Sequence, residues 1–153
     1  RVLFNEHFIL AEAHARRNKQ RLGVMLLDLD YFKEINDTFG HNIGDQLLQG
    51  VGQRLITLVR EEDVVARMGG DEFMRLLQEI EHSNDVVTTS RKIVESLRYP
   101  FVLGGQNLHI TTSLGAAVYP EDGEDINTLL KNADIAMYRV KEKGRNDYQL
   151  YTQ

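Results

Sequence analysis

Leu22 to Leu29 is the segment that most constrains the fold of this chain. Its centre, Val24-Met25-Leu26-Leu27, is apolar at every position. A strand built from it cannot turn either face to water, so it belongs inside a sheet covered on both sides. The run ends on Asp28, with Asp30 one residue beyond Leu29. The polar end of a buried strand is where α/β proteins tend to place their chemistry.

Periodicity assigns the remaining elements. Phe4, Phe8, Ala11 and Ala15 recur at helical spacing and predict a first helix over Phe4 to Arg16. Tyr31 to Asn36 reads as a short helical piece, followed by a turn at Gly40-His41-Asn42. Ile43, Leu47, Leu48, Val51, Leu55 and Leu58 then give one apolar face to a long helix. Val64-Val65 and Phe73 to Leu77 read as two strands joined by a tight turn at Gly69-Gly70, where the missing Cβ atoms permit close backbone approach. Val86 to Leu97 reads as a helix ended before Tyr99-Pro100, and Leu103-Gly104-Gly105-Gln106 as a small hairpin. His109 to Tyr119 reads as an interior strand, and Pro120 to Gly123 as a turn. Asp125 is placed to cap a last helix whose apolar face carries Ile126, Leu129, Leu130, Ala133, Met137 and Val140 and which stops at Gly144. Tyr148 to Tyr151 is a candidate edge strand. The expected architecture is α/β (α+β): a central, mainly antiparallel sheet with a layer of helices on each side.

Composition narrows the function. With 153 residues the chain is long enough for one domain with a full core, and 1–153 is read as a single domain. The absence of cysteine excludes a disulfide scaffold and any thiolate zinc site. A formal net charge of −5 argues against a general nucleic-acid binder, which would neutralise phosphates with a basic surface. No apolar run approaches the roughly 18 residues of a membrane span. A small anionic ligand stays open if lysines and arginines converge locally.

Two acidic pairs carry the chemistry. Asp28 leaves the buried strand where the chain turns, and Asp71-Glu72 follow the two glycines. If the hairpin pairs beside the central strand, Asp71 comes close to Asp28. Two carboxylates with a backbone carbonyl make a hard oxygen site for Mg²⁺, which keeps its other positions for water and phosphate. The competing reading has Asp28 and Asp30 capping the short helix and Asp71 in a solvated turn.

Gly69-Gly70-Asp71-Glu72-Phe73 is also the signature of the GGDEF family of diguanylate cyclases, which this chain resembles. The resemblance extends to Leu27-Asp28-Leu29-Asp30-Tyr31-Phe32-Lys33-Glu34-Ile35-Asn36-Asp37-Thr38-Phe39-Gly40-His41, followed by Gly44-Asp45. It continues through Tyr119 to Gly123, Ala133 to Tyr138, Lys141 and Gly144-Arg145-Asn146, in the family order. The fold this implies is that of the nucleotidyl cyclases and polymerase palms, ferredoxin-like. The activity implied is condensation of two GTP into cyclic di-GMP with release of two pyrophosphates, by a homodimer whose members each hold one GTP.

The resemblance also assigns roles. Asp28, Asp71 and the Leu29 carbonyl match the ligands of two Mg²⁺ or Mn²⁺ ions per GTP site, and Asp71 and Glu72 the catalytic carboxylates. Asn36 and Asp45 match the residues that read guanine; Phe32, Lys33, Lys141 and Arg145 match those around the triphosphate. Lys141 and Arg145 lie four apart, so helical spacing would project them from one side. Arg60 and Asp63, five residues upstream of the glycines, resemble the family's inhibitory site for the product, with Arg91 completing it. His41 sits at a turn and matches a loop-shaping position rather than a catalyst.

Two departures stand out. The family has an Asp-x-Leu-Thr-Gly-Leu type segment before the position of Arg1, so the domain is expected to lack its extreme N-terminal part. Arg75 stands where an apolar strand residue is typical, and is expected either to face solvent or to weaken the sheet. The closing Tyr148 to Thr152 resembles domains followed by a phosphodiesterase EAL domain, which supports a rival function. In that rival, a noncatalytic GTP-binding domain tunes the adjacent cyclic di-GMP phosphodiesterase. Either way the expected setting is a cytoplasmic domain without nucleic-acid or membrane contact of its own, in a parent protein that can be membrane-anchored.

Overall fold

Alternation along Leu22–Leu29 decides the architecture. In the computed structural model, which describes residues 2–58 and 64–152, this segment lies in β1 (Arg21–Leu29), the middle strand of a mixed sheet. Among the described residues five strands form that sheet, in the order β2-β3-β1-β6-β7. They are β2 (Val64–Gly69), β3 (Glu72–Ile80), β6 (Thr112–Tyr119) and β7 (Asp147–Leu150) about β1. β1 runs antiparallel to both β3 and β6, and β7 joins parallel to β6 at the edge. A two-stranded hairpin, β4 (Phe101–Leu103) and β5 (Gln106–Leu108), stands apart.

The helices α1 (Val2–Asn18), α2 (Phe32–Phe39), α3 (His41–Thr57), α4 (Ser83–Leu97) and α5 (Ile126–Glu142) complete the chain. Met25, Leu27 and Leu29 point one way and pack with Leu47, Val51 and Leu55 of α3 and Ile93 and Leu97 of α4. Leu22, Val24 and Leu26 point the other way, against Phe4 and Phe8 of α1 and Leu129, Ala133 and Met137 of α5. The expected helix layer on each face is therefore present. Period two carries a consequence for chemistry: Asp28 and Asp30 fall on the α1/α5 face.

Several boundaries differ from the sequence reading for local reasons. Tyr31 has a left-handed backbone (φ 59), so α2 starts one residue later and runs on to Phe39. Only Gly40 separates α2 from α3, which starts at His41. α4 begins at Ser83 rather than Val86, and β6 begins at Thr112 rather than His109. Asp125 does cap α5, its Oδ1 accepting from Thr128 N at 2.8 Å.

Arg75 does not face solvent. It is buried at 3% exposure on the α3/α4 face, and its Nη2 donates to Leu58 O at 3.1 Å. Beside it lies a cavity of about 370 Å³ lined also by Leu77, Asp85, Thr88 and Lys92. Among the described residues no helix is long and apolar enough to cross a membrane.

Candidate active site

The hairpin between β2 and β3 delivers the second acidic pair to the first. Gly69 and Gly70 take positive φ (130° and 55°), and the Arg67 guanidinium closes the turn by donating to Gly70 O from Nε and Nη2 at 3.0 and 2.9 Å. Leu29 N donates to Asp71 O at 3.3 Å, tying the turn to the end of β1. Across the β1–β3 ladder Glu72 stands directly opposite Asp28.

Crowding of these carboxylates shows in their acidity. Asp71 is raised to about 6, first by burial, then by its hydrogen bond to Asp28 and by the Asp28 charge. Glu72 is also raised, by burial and by the charges of Asp28 and Asp134, with Lys141 opposing. The Lys141 ammonium donates to Asp28 Oδ2 at 2.5 Å, a bond that joins residues 113 apart in sequence. Asp28 Oδ1 is buried and, with Asp71 ionised, finds no donor among the described residues. An orphaned carboxylate oxygen beside a second carboxylate is a poor end for a strand but a good seat for a hard divalent cation. Among the described residues no group of three or more His, Asp or Glu side chains assembles for a metal. Two adjacent carboxylates supply only part of an octahedral shell, so the donor set fits an ion that retains water or phosphate oxygens, as Mg²⁺ does.

Around this pair lies a pocket of about 280 Å³. Its lining includes Asp28, Leu29, Phe32, Lys33, Asp71, Lys141 and Arg145, which brings together most of the residues singled out from sequence. Lys33 is exposed on α2, and Phe32 is half-buried. Asn36 and Asp45 lie outside that lining, on α2 and α3. Asn36 is packed on Gly44 so closely that a Cβ there would stand 1.8 Å from Asn36 Oδ1, which is buried without a partner among the described residues. Asp45, next in the chain, is exposed. Arg91 is exposed on α4, while Arg60 and Asp63 lie outside the described residues.

Helical spacing is not what brings Arg145 to the pocket. α5 ends at Glu142, and the chain leaves it through a Schellman turn with Gly144 at the C′ position. Arg145 N donates to Val140 O at 3.0 Å and Gly144 N to Lys141 O at 3.4 Å. The Arg145 guanidinium lies 5.0 Å from the Tyr31 ring centroid. Sequence reading also missed Asp30 as a hub. Its buried carboxylate accepts from Thr111 Oγ1 (2.6 Å), Ser113 Oγ (2.7 Å) and Asn146 N (3.1 Å). The local signal was faint, since Asp-Leu-Asp before a helix fits a cap as well as a hub.

The family described as diguanylate cyclase, GGDEF domain, matches residues 1–147. Cyclic di-GMP phosphodiesterase NbdA of Pseudomonas aeruginosa is 41% identical over 152 residues, covering 99% of this chain and 19% of that protein. MucR of the same organism, a bifunctional diguanylate cyclase/cyclic di-GMP phosphodiesterase, is 40% identical over 148 residues, covering 97% of this chain and 22% of that protein. The chain thus spans about a fifth of these two relatives' length. The crystal structure of the GGDEF domain of TpbB, also from P. aeruginosa, is 36% identical and superposes with a TM-score of 0.95, covering 98% of this chain and 94% of that one. A match over nearly the whole chain, on a fold that superposes this closely, makes this protein a member of the GGDEF family.

Proposed function

We propose that the chain is a diguanylate cyclase, joining two GTP into cyclic di-GMP as a metal-dependent homodimer. One observation carries the reading: the Asp28–Asp71 pair, with Glu72 opposite, opens onto a pocket edged by Lys33, Lys141 and Arg145. Carboxylates for a cation and cations for a phosphate chain meet at one place.

Asp28 and Asp71, with the Leu29 carbonyl, would hold the two ions. Bound there, Mg²⁺ or Mn²⁺ supplies neutralising charge at the phosphates and acidifies a neighbouring hydroxyl. Lys33, Lys141 and Arg145 bind the triphosphate, and Phe32 shapes its pocket. Lys141 then exchanges its bond to Asp28 for a phosphate oxygen. Asn36 and Asp45 read the guanine edge, a carboxylate accepting from N1–H and the amine while the amide serves the other polar atoms. The 3′-oxygen of one GTP bonds to the α-phosphorus of the other, the α–β bridging bond breaks, and pyrophosphate leaves. Glu72 takes the hydroxyl proton, a reading supported by its position opposite Asp28 and by a carboxyl held above the usual range. Residues 1–153 act as one domain, and Arg60, Asp63 and Arg91 bind product as a feedback site.

A second reading draws support from the company the sequence keeps: NbdA is named as a phosphodiesterase. A GTP-binding domain tuning an adjacent EAL phosphodiesterase domain would retain the same pocket. Incubation with GTP and Mg²⁺ or Mn²⁺ at high protein concentration, with products separated by chromatography, decides between them. Cyclic di-GMP from the unmodified chain, and none from the Asp71→Ala/Glu72→Ala double variant, is the expected result. Metal-dependent GTP binding without product would replace the cyclase reading with the regulatory one.

A further inference from the structure

Arg145 and Asn146 are consecutive non-glycine residues with left-handed backbones, φ 66 and 56. The left-handed region is disfavoured for a long side chain such as Arg145 and persists there only where its surroundings over-determine it, while Asn146 is one of the few residue types that enter it readily. Here the surroundings can be named. The Schellman turn fixes Arg145 N on Val140 O. The buried Asp30 carboxylate holds Asn146 N, while Thr111 and Ser113 hold Asp30 from the first residues of β6 and the segment before it. From the opposite side, Arg98 at the end of α4 donates from Nε to Asn146 Oδ1 at 2.8 Å and from Nη2 to Asn146 O at 3.3 Å. The Tyr31 ring beside the guanidinium completes the cage.

We propose that Asp30 and Arg98 are positioning residues that clamp Asn146 from two sides and so aim Arg145 at the phosphates of the nucleotide. Arg98 lies outside the pocket lining, and Asp30, which borders it, spends its carboxylate on Thr111, Ser113 and Asn146. The inference rests on the proposal that Arg145 contacts triphosphate, and extends it to residues that act through the turn. The chemistry suits the task. A buried carboxylate accepting three hydrogen bonds is a stiff anchor, because releasing any one donor leaves a desolvated charge under-satisfied. Arg98 is exposed and reaches Asn146 with a planar fork, which fixes orientation as well as distance. With Asn146 N fixed on Asp30 and Arg145 N on Val140 O, the peptides on both sides of Arg145 are held, and so is the direction in which its side chain leaves the backbone.

Affinity for 3′-deoxy-GTP, which lacks the attacking hydroxyl, is compared with affinity for guanosine by calorimetry with Mg²⁺ present. Arg98→Ala, on the surface and clear of the pocket, is expected to weaken 3′-deoxy-GTP about fivefold, the scale of one ordinary hydrogen bond lost, and to leave guanosine unchanged. Asp30→Ala is expected to do the same more strongly. Asp30→Asn restores binding, because its oxygen can face Thr111 and Asn146 while its amide donates to Ser113. In an Arg145→Ala background Arg98→Ala has no further effect, the signature of two residues acting through one contact. Equal weakening of both ligands, no weakening of either, or an additive loss in the Arg145→Ala background overturns the clamp. An unmodified chain that binds neither ligand overturns the nucleotide reading before any variant is compared, and the clamp with it.

Discussion

Two residues concentrate the consequences of close packing at the site. Asp71 is raised to about 6, chiefly by burial and then by Asp28. Its folded pKa lies above its unfolded one, so folding favours the protonated form. The contribution is whole below about pH 4, the ordinary range for an aspartate, and is lost as pH rises through the folded value. The metal-free chain is therefore expected to lose thermal stability between pH 4 and 7, and Asp71→Asn to lose less over the same window. Glu72, raised in the same direction, contributes to what remains in the variant. Identical melting curves for the two chains would refute the assignment, and Mg²⁺ affinity should rise across the same interval as the competing proton leaves. Gly44 is the second residue. A Cβ 1.8 Å from Asn36 Oδ1 cannot be accommodated without moving Asn36. Gly44→Ala is expected to displace the Asn36 side chain at little net cost in stability, since alanine gains roughly 1 kcal/mol of helix propensity within α3, and to erode discrimination of GTP from ATP in competition binding. Unchanged discrimination would detach Asn36 from base reading.

At the scale of elements, α5 is held to the sheet through the same kind of contact. A Cβ on Gly115 of β6 would lie 2.1 Å from Ala133 O and 2.3 Å from Met137 N, both backbone atoms of α5. Only glycine lets helix and strand approach this far, and α5 is the element that carries Lys141 to Asp28. Gly115→Ala is expected to destabilise the chain by on the order of 3 kcal/mol, read by chemical denaturation, because the clash is with backbone that cannot swing aside. A loss below about 0.5 kcal/mol, the range of a neutral surface change, would mean that α5 shifts freely. The elements themselves were largely legible in sequence. The unbroken apolar run placed β1 in the interior, and the 3.6-residue spacing of Leu47, Val51 and Leu55 or of Leu129, Ala133 and Met137 found the helix faces. What could not be read was contact between distant segments. Nothing near Lys141 announces Asp28, and nothing in Asp-Leu-Asp reveals that Asp30 is buried among hydroxyls from residues 111 and 113. The sequence left Arg75 open between solvent and a weakened sheet for the same reason, since its shelter comes from the end of α3 and not from its own strand.

A pocket edged by both carboxylates and cations lies where the central strand ends. A cyclic product with two phosphodiester bonds needs two α-phosphates, each presented to the other nucleotide's 3′-hydroxyl. If each chain presents one GTP, the second must arrive on another chain, and proximity within that pair supplies the orientation a lone domain lacks. The rate then follows the dimer, not the chain. Below the dimer dissociation constant the fraction paired falls in proportion to concentration, so a tenfold dilution should lower activity per chain by about tenfold. Above it the activity per chain reaches a plateau. GTP binding, a property of one pocket, should not change across the same dilution. The two curves together separate catalysis from occupancy, which is also the line between the cyclase and the regulatory reading. Activity per chain that stays constant on dilution, while sedimentation shows the chain to be monomeric, would place both nucleotides on one chain and remove the need for a partner.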